Sequence, residues 1–437
     1  MNTLAEVRLW GRTIGAVSWD ESAELADFEY EESFRSSGIE VAPLHMPLAR
    51  GVYRFPQLRE KAFRGLPGML ADSLPDKYGN ALIDAWLVRQ GRSASSFNPV
   101  ERLCYIGTRG MGALEFTPTM GPQAETSREL QVDALVALAS EILSKRHDLQ
   151  ARLGEDAEAQ EGLRQILQVG TSAGGARAKA VVAWNPSTDE VRSGQVGVQE
   201  GFEPWLLKFD GVRGNRDKEL EDPQGYGRIE YAYHHMALAA GILMEPCRLL
   251  EENGRAHFMT RRFDRTEEGR KVHMQSLGAI AHYDYNLAGA HGYEQAMSVM
   301  RRLGMDLEEV EQQFRRMVFN LVARNQDDHV KNIAFLMDKV GSWRLSPAFD
   351  VTYSYNPNGP WTARHQMSVQ GKRDDFTRSD LRSCAEAVGL KWRRADVVLE
   401  EVLEAVGKWP ACAAIAEVPD AVMESVHAAL RTDWPSE

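Results

Sequence analysis

Cysteine is scarce in this 437-residue sequence: there are four, Cys104, Cys247, Cys384 and Cys412, and no two of them form a CxxC pair. Thiols so few and so widely spaced suggest neither a zinc site nor a disulfide framework, and a reducing cytoplasm fits them. Basic residues are in deficit too, with 51 Lys and Arg against 63 Asp and Glu, a formal charge of −12. A surface of that sign repels a polyanion, so contact with DNA is expected only indirectly, through a partner. No stretch reaches the ~18 apolar residues of a membrane span. The opening MNTLAEVRLWGRTIG lacks the basic-then-apolar order of a signal peptide, so neither secretion nor membrane insertion is expected. Internal repeats and low-complexity tracts are missing as well, which excludes solenoids and disordered chains.

What is present is ordinary for a folded protein, with 43% hydrophobic and 26% charged residues. The length exceeds the ~100–200 residues of a typical domain, so two or three packed units are expected. Apolar residues alternate from Glu6 to Trp19 around Trp10-Gly11-Arg12, which predicts a β-hairpin. GLPGMLADSLPDKYGNALIDAWLVRQ, residues 65–90, reads as a loop followed by a helix. The turn-rich TMGPQAETSREL suggests a boundary near residue 120. A helix from about Leu130 to Leu153 and an acidic stretch then lead to RQILQVG, an apolar run that predicts a strand. Further on, LEEVEQQFRRMVFNLVA places Val310, Phe314, Met317, Val318, Leu321 and Val322 on one helical face. IAFLM and WRLSPAF predict a hairpin, and successive amphipathic helices follow from Leu381 onward.

The chemistry concentrates in NQDDHVKN, residues 325–332, where Asp327 and Asn332 stand five apart between that helix and that hairpin. Protein kinases use the same spacing: the Asp takes the proton of the acceptor hydroxyl, and the Asn ligates magnesium, a hard cation that wants oxygen ligands. Asp350, at the far end of the hairpin, stands where a second magnesium ligand belongs. Upstream, TSAGGARAK at 171–179 is a glycine-rich turn whose small residues let backbone N–H groups approach phosphate oxygens. Lys208, flanked by apolar residues in WLLKFD, suits a buried ammonium that neutralises ATP phosphates, with Glu230 as its carboxylate partner.

Read in order, GLPGMLADSLPDKYG, YIGTRGMGALEF, GGARAKA, RRFDR, NQDDHVKN, LSPAFDVTYS and HQMSVQGK resemble the motifs of the HipA-like kinases of type II toxin–antitoxin systems, over nearly the whole length. The resemblance implies that Asp327 is the catalytic base and that Asn332 and Asp350 are magnesium ligands. It also implies that Ala173, Gly174, Gly175 and Ala176 form the phosphate-binding loop, and that Lys179, Lys208, Glu230, His329 and Lys331 contribute to ATP binding. Ser172 falls at the family's autophosphorylation position, with Thr171 next to it; a phosphate there would occupy the donors intended for ATP. Three details depart from the family: the loop reads AGGA, Arg177 stands where Gln is usual, and no Gly follows Asp350.

Plainer readings stand beside these. Asp328 lacks an Asn five residues on and is expected to hydrogen-bond the loop. His329 suits an orienting or packing role. Gly174 and Gly175 alone would make a tight turn, and Glu230 would favour a helix start by the dipole alone. His234 and His235, adjacent on a helix, point to different faces and cannot share a metal.

Together these features predict an α+β, protein-kinase-like, two-lobed fold: a β-rich subdomain over 1–120, a nucleotide-binding lobe over 121–260 and a helical lobe over 261–437, with ATP between the lobes. The expected function is ATP- and Mg²⁺-dependent Ser/Thr phosphorylation by a cytoplasmic toxin. The resemblance implies a target such as glutamyl-tRNA synthetase, self-inactivation by autophosphorylation, and a HipB-like DNA-binding antitoxin as partner. A pseudokinase acting as co-repressor, and a small-molecule or lipid kinase, are the alternatives.

Overall fold

The computed structural model describes residues 3–93, 96–121, 130–144, 165–167, 169–170, 177–195, 200–212 and 224–434. Two compact units share the chain: Met1–Gly227 with Arg248–Met274, and Arg228–Cys247 with Gln275–Glu437.

The first unit opens with an antiparallel sheet of β1 (Leu4–Leu9), β2 (Arg12–Asp20), β3 (Leu25–Tyr30), β4 (Val52–Tyr53) and β5 (Leu114–Thr117), in the order β4-β3-β2-β1-β5. The predicted hairpin is there. Trp10 and Gly11 both have positive φ, 49° and 79°, the two-residue turn whose twist matches the flanking strands. Gly15 in β2 is fixed by close approach, since a Cβ there would lie 2.3 Å from the Glu29 carbonyl oxygen. The predicted helix of that segment forms over Lys77–Arg89, while the part read as a loop carries a short helix over Gly68–Ala71.

A second sheet follows, from β6 (Lys179–Trp184), β7 (Val191–Ser193), β8 (Glu203–Lys208), β9 (Cys247–Glu252) and β10 (Arg255–Arg261), ordered β7-β6-β8-β10-β9. Its core combines Val182, Trp205, Leu207 and Met259 with Tyr78, Leu82, Tyr105 and the helix Val132–Ser144. RQILQVG is not the strand its apolar run predicts: residues 165–167 and 169–170 are helical, with Ile166, Leu167 and Val169 buried. A short apolar run suits a fully buried helix as well as a strand, and periodicity cannot separate them. Packing decides here, since Arg109 reaches the Leu167 carbonyl at 3.0 Å.

RRFDR is an internal tie of the first unit. Asp264, fully buried, accepts two hydrogen bonds from Arg262 at 2.8 Å each, one from Arg265 at 2.7 Å and one from the Gly112 backbone at 2.7 Å. Arg265 also donates to the Gly112 and Gly110 carbonyls, joining RRFDR to YIGTRGMGALEF.

The second unit is mostly helical, with helices over Tyr293–Arg302, Leu307–Val322, Arg378–Ala387, Trp392–Gly407, Trp409–Ile415 and Asp420–Ala429. Leu307–Val322 is the central one. Val310, Phe314, Met317, Val318, Leu321 and Val322 are all buried, as their spacing predicts. Asp306 caps its start by accepting from the Glu308 and Glu309 N–H groups. Asp306→Ala should therefore cost about 1 kcal/mol of stability, the usual worth of an N-cap, read as a lowered urea midpoint. Ala334–Met337 and Trp343–Leu345 pair as the predicted hairpin. Among the described residues, no helix is long and apolar enough to cross a membrane.

Candidate catalytic site

The helix Leu307–Val322 ends at Ala323, and Arg324 turns the chain with a left-handed φ of 58°. Arg324 secures the turn by donating to Gln326 Oε1 at 3.1 Å and lying over the Tyr355 ring at 4.2 Å. The loop that follows presents the two neighbouring acids differently.

Asp327 is half-buried. Its backbone N–H donates to Ser354 Oγ at 2.9 Å, and its Oδ1 accepts from the Trp361 indole N–H at 2.7 Å. One carboxylate oxygen is thereby held and the group is oriented. Asn332 donates from Nδ2 to the Asp327 carbonyl at 2.7 Å, which fixes the plane of its amide. The turn between them is closed by Asn332 N–H donating to the His329 carbonyl at 2.9 Å.

Asp328 is buried and saturated. It accepts from Tyr293 Oη at 2.7 Å, His365 Nδ1 at 2.9 Å and the Gln366 N–H at 2.7 Å. Burial alone would raise its carboxyl, but the hydrogen bonds from His365, Tyr293 and the Gln366 N–H outweigh burial and hold it below the usual carboxylate range. Asp328 is thus the loop-bonding acid that its lack of a spaced Asn suggests.

A polar chain joins the two acids. Asn320 donates to Tyr293 Oη at 3.0 Å, Asn325 donates to Asn320 Oδ1 at 2.9 Å, and Ser354 Oγ donates to Asn325 Oδ1 at 3.1 Å. Asn325 Nδ2 also lies 3.4 Å from the Asp350 carbonyl, which brings the segment after the hairpin to the loop. Asp350 itself has φ 52°, a left-handed conformation that Asp tolerates better than most residues. His329 stacks obliquely near Tyr285, and Lys331 Nζ lies 5.0 Å from the centre of the same ring. The structure therefore gathers Asp327, His329, Lys331, Asn332 and Asp350 onto one group of loops.

In the first unit, Lys179 and Lys208 are directly opposed across β6 and β8, and both are buried. Lys208 Nζ is 5.6 Å from the Phe258 ring centre. Their opposition sets two ammonium-bearing side chains side by side on one face of the sheet. Asp210, two residues after Lys208, is buried and accepts from the Gly225 and Ala256 N–H groups, fixing the approach to the next helix. Glu230 lies in that helix, Tyr226–Ala239, and belongs to the second unit, where it is 1% exposed. Thr171, Ser172, Ala173, Gly174, Gly175 and Ala176 lie outside the described residues. His234 and His235 are packing residues around Tyr231, and burial lowers His234 to about 4.

The donor set fits nucleotide and magnesium. An amide oxygen and a carboxylate are hard ligands, and magnesium commonly takes only one or two protein groups besides phosphates. Among the described residues there is no cluster of three or more His, Cys, Asp or Glu that could hold a metal ion. His329 Nδ1 is buried without a hydrogen-bond partner among the described residues, a polar atom that a ligand could satisfy.

A helix running into an Asp–Asn loop, then a hairpin followed five residues later by an acid, preceded in the chain by a lysine-bearing antiparallel sheet, defines the kinase-like class of α+β folds. The HipA-like C-terminal domain matches residues 171–409 and the HipA N-terminal domain residues 5–117, so the chain belongs to the HipA family. It is similar in fold to HipA of Shewanella oneidensis MR-1, solved with HipB and operator DNA: 16% identity, 98% of this chain and 95% of that one covered, TM-score 0.67. A second solved structure, the Helicobacter pylori proinflammatory kinase CtkA, is 13% identical and covers 59% of this chain and 92% of its own, with TM-score 0.35. No curated protein matches the chain.

Trp361, Tyr293, Asn320, Ser354 and His365 were not singled out by sequence reasoning. HQMSVQGK did contain a signal, since its His365 and Gln366 are two of the three groups that hold Asp328.

Proposed function

We propose that the protein is an ATP-dependent Ser/Thr protein kinase, the toxin of a type II toxin–antitoxin pair, with Asp327 as its base. The observation that carries the reading is Asp327 itself, an acid oriented through one oxygen by Trp361 and tied through its carbonyl to Asn332. In this reading the free carboxylate oxygen takes the acceptor hydroxyl proton. The hydroxyl oxygen bonds to the γ-phosphorus, the bond from that phosphorus to the β–γ bridging oxygen breaks, and ADP leaves. Lys179 and Lys208 hold the nucleotide phosphates, and Asn332 and Asp350 hold magnesium, which when bound supplies positive charge against the transferring phosphoryl group.

The S. oneidensis HipA was solved with HipB and operator DNA, and by analogy we assign this chain a HipB-like antitoxin that supplies the basic surface its own acidic balance lacks. The protein target is a cytoplasmic one such as an aminoacyl-tRNA synthetase, and Ser172 is the site of self-inactivation.

Phosphosite mapping after incubation with ATP and Mg²⁺, with Asp327→Asn as control, tests the assignment. Phosphate on Ser172, on Thr171 or on an added lysate protein, in the wild type alone, supports it; an unmodified wild type that does not bind ATP overturns it. A further expectation concerns Trp361. A hydrogen bond to a charged group is worth roughly 1.5–3 kcal/mol, so Trp361→Phe should slow the initial rate of ³²P transfer by about tenfold or more. An unaltered rate would leave the indole N–H without a part in the reaction.

A further inference from the structure

The carbonyl groups at the end of a helix lack intrahelical donors, and the end that matters most here is that of Leu307–Val322, where the catalytic loop begins. Those carbonyls are met by a segment far along the chain. The Arg431 backbone N–H donates to the Val322 carbonyl at 2.9 Å, and its guanidinium donates to the Leu321 carbonyl at 3.4 Å. The same Arg431 Nη1 lies 3.3 Å from His365 Nε2, while Nη2 pairs with Asp374. Because Arg431 has only donors, His365 accepts at Nε2, carries its proton on Nδ1 and donates that proton to Asp328.

The segment is anchored on both sides. Arg324, the residue that turns the chain into the loop, donates to the Ala429 carbonyl at 2.8 Å. The buried Trp434 donates from its indole to the Arg431 carbonyl at 2.8 Å and accepts at its own carbonyl from Arg378 at 3.0 Å. Residues 429–434 lie beyond 171–409, the span that matches the HipA-like C-terminal domain.

We propose that Arg431 is a positioning residue for phosphoryl transfer, acting through His365 and Asp328 on the backbone that carries Asp327, so that residues 429–434 complete the catalytic loop. The catalytic half of this inference rests on the kinase reading; the latch itself does not.

Hydrogen exchange on the full chain tests the latch without reference to activity. In Arg431→Gln, the amides of residues 325–332 should exchange at least about tenfold faster while those of the first unit are unchanged. A small misplacement of a reacting group can cost up to about 100-fold in rate, so transfer from ATP should slow by about 10- to 100-fold. The KM for ATP should stay at the wild-type value, and Arg431→Lys should recover part of the rate. Unchanged loop exchange overturns the latch, and so does a fall in ATP affinity with an unaltered rate. Should Arg431→Gln fail to fold, Asp374→Asn, which releases the guanidinium from its other side, is read by the same criteria. A wild type that transfers no phosphate overturns the kinase reading, while loop exchange still decides the latch.

Discussion

Asp327→Asn should abolish most phosphate transfer, by roughly 10²- to 10⁴-fold, the usual contribution of a positioned general base, while unfolding within about 0.5 kcal/mol of the wild type. The asymmetry follows from the geometry. Asn still offers an acceptor oxygen to Trp361 and leaves the backbone bonds to Ser354 and Asn332 untouched, so only the proton-accepting oxygen is lost. The neighbouring substitution should behave oppositely. Asp328→Asn replaces a buried acceptor of three hydrogen bonds with a group half of which is a donor, facing Tyr293, His365 and the Gln366 N–H. Leaving such a buried donor without its acceptor costs about 1–3 kcal/mol. Parallel urea titrations and initial-rate assays on the two variants check both halves. Equal loss of stability in the two would remove the distinction between catalytic and structural acid.

Asp264→Ala is the second large effect. Two guanidinium groups, of Arg262 and Arg265, would be left in the interior of the first unit without their carboxylate, and the Gly112 N–H would lose its acceptor. A loss of about 3–5 kcal/mol is expected, a large share of the roughly 5–15 kcal/mol that holds most domains. Acid should act in the same direction. Burial raises the Asp264 carboxyl, but Arg262 and Arg265 outweigh burial and hold it well below the usual carboxylate range. The unfolded chain then takes up the proton first. The carboxylate's contribution is full above about pH 4 and is lost as pH falls through the folded value. Denaturant midpoints measured from pH 5 downward should therefore fall more steeply in the wild type than in Asp264→Ala.

Local pattern carried much of the architecture. The Trp10–Gly11 hairpin, the helix delivering the loop, and the hairpin ahead of Asp350, whose second strand stops at Leu345, all depend on periodicity and turn residues that neighbours in sequence supply. RQILQVG misleads because a short apolar run reports burial, not backbone conformation. Spacing separates the two acids in the sequence, since only Asp327 has an Asn five residues on, and the structure shows Asp328 bonded within the loop. What holds each acid was not legible: Trp361 bonds Asp327 across 34 residues, and Arg431 reaches His365 across 66. Such pairings are set by how whole helices pack, and no local signal encodes them. Lys208 was visible as a charge in an apolar strand, whereas its opposition to Lys179 emerges only from strand register.

The route of the chain between the two units also bears on how the protein is made. The strand that carries Lys208 pairs on one side with β6, but its other neighbour, β10, begins at Arg255. Between them the chain leaves for the second unit and returns. At ribosomal rates of ~5–20 residues per second, β8 waits roughly 2–10 s with an open edge before β10 emerges. Unpaired edges recruit other strands. Newly made chains should thus pass through an aggregation-prone interval that ends only when RRFDR arrives and Asp264 closes the unit, so slowing synthesis between residues 208 and 255 would trade soluble yield for aggregate.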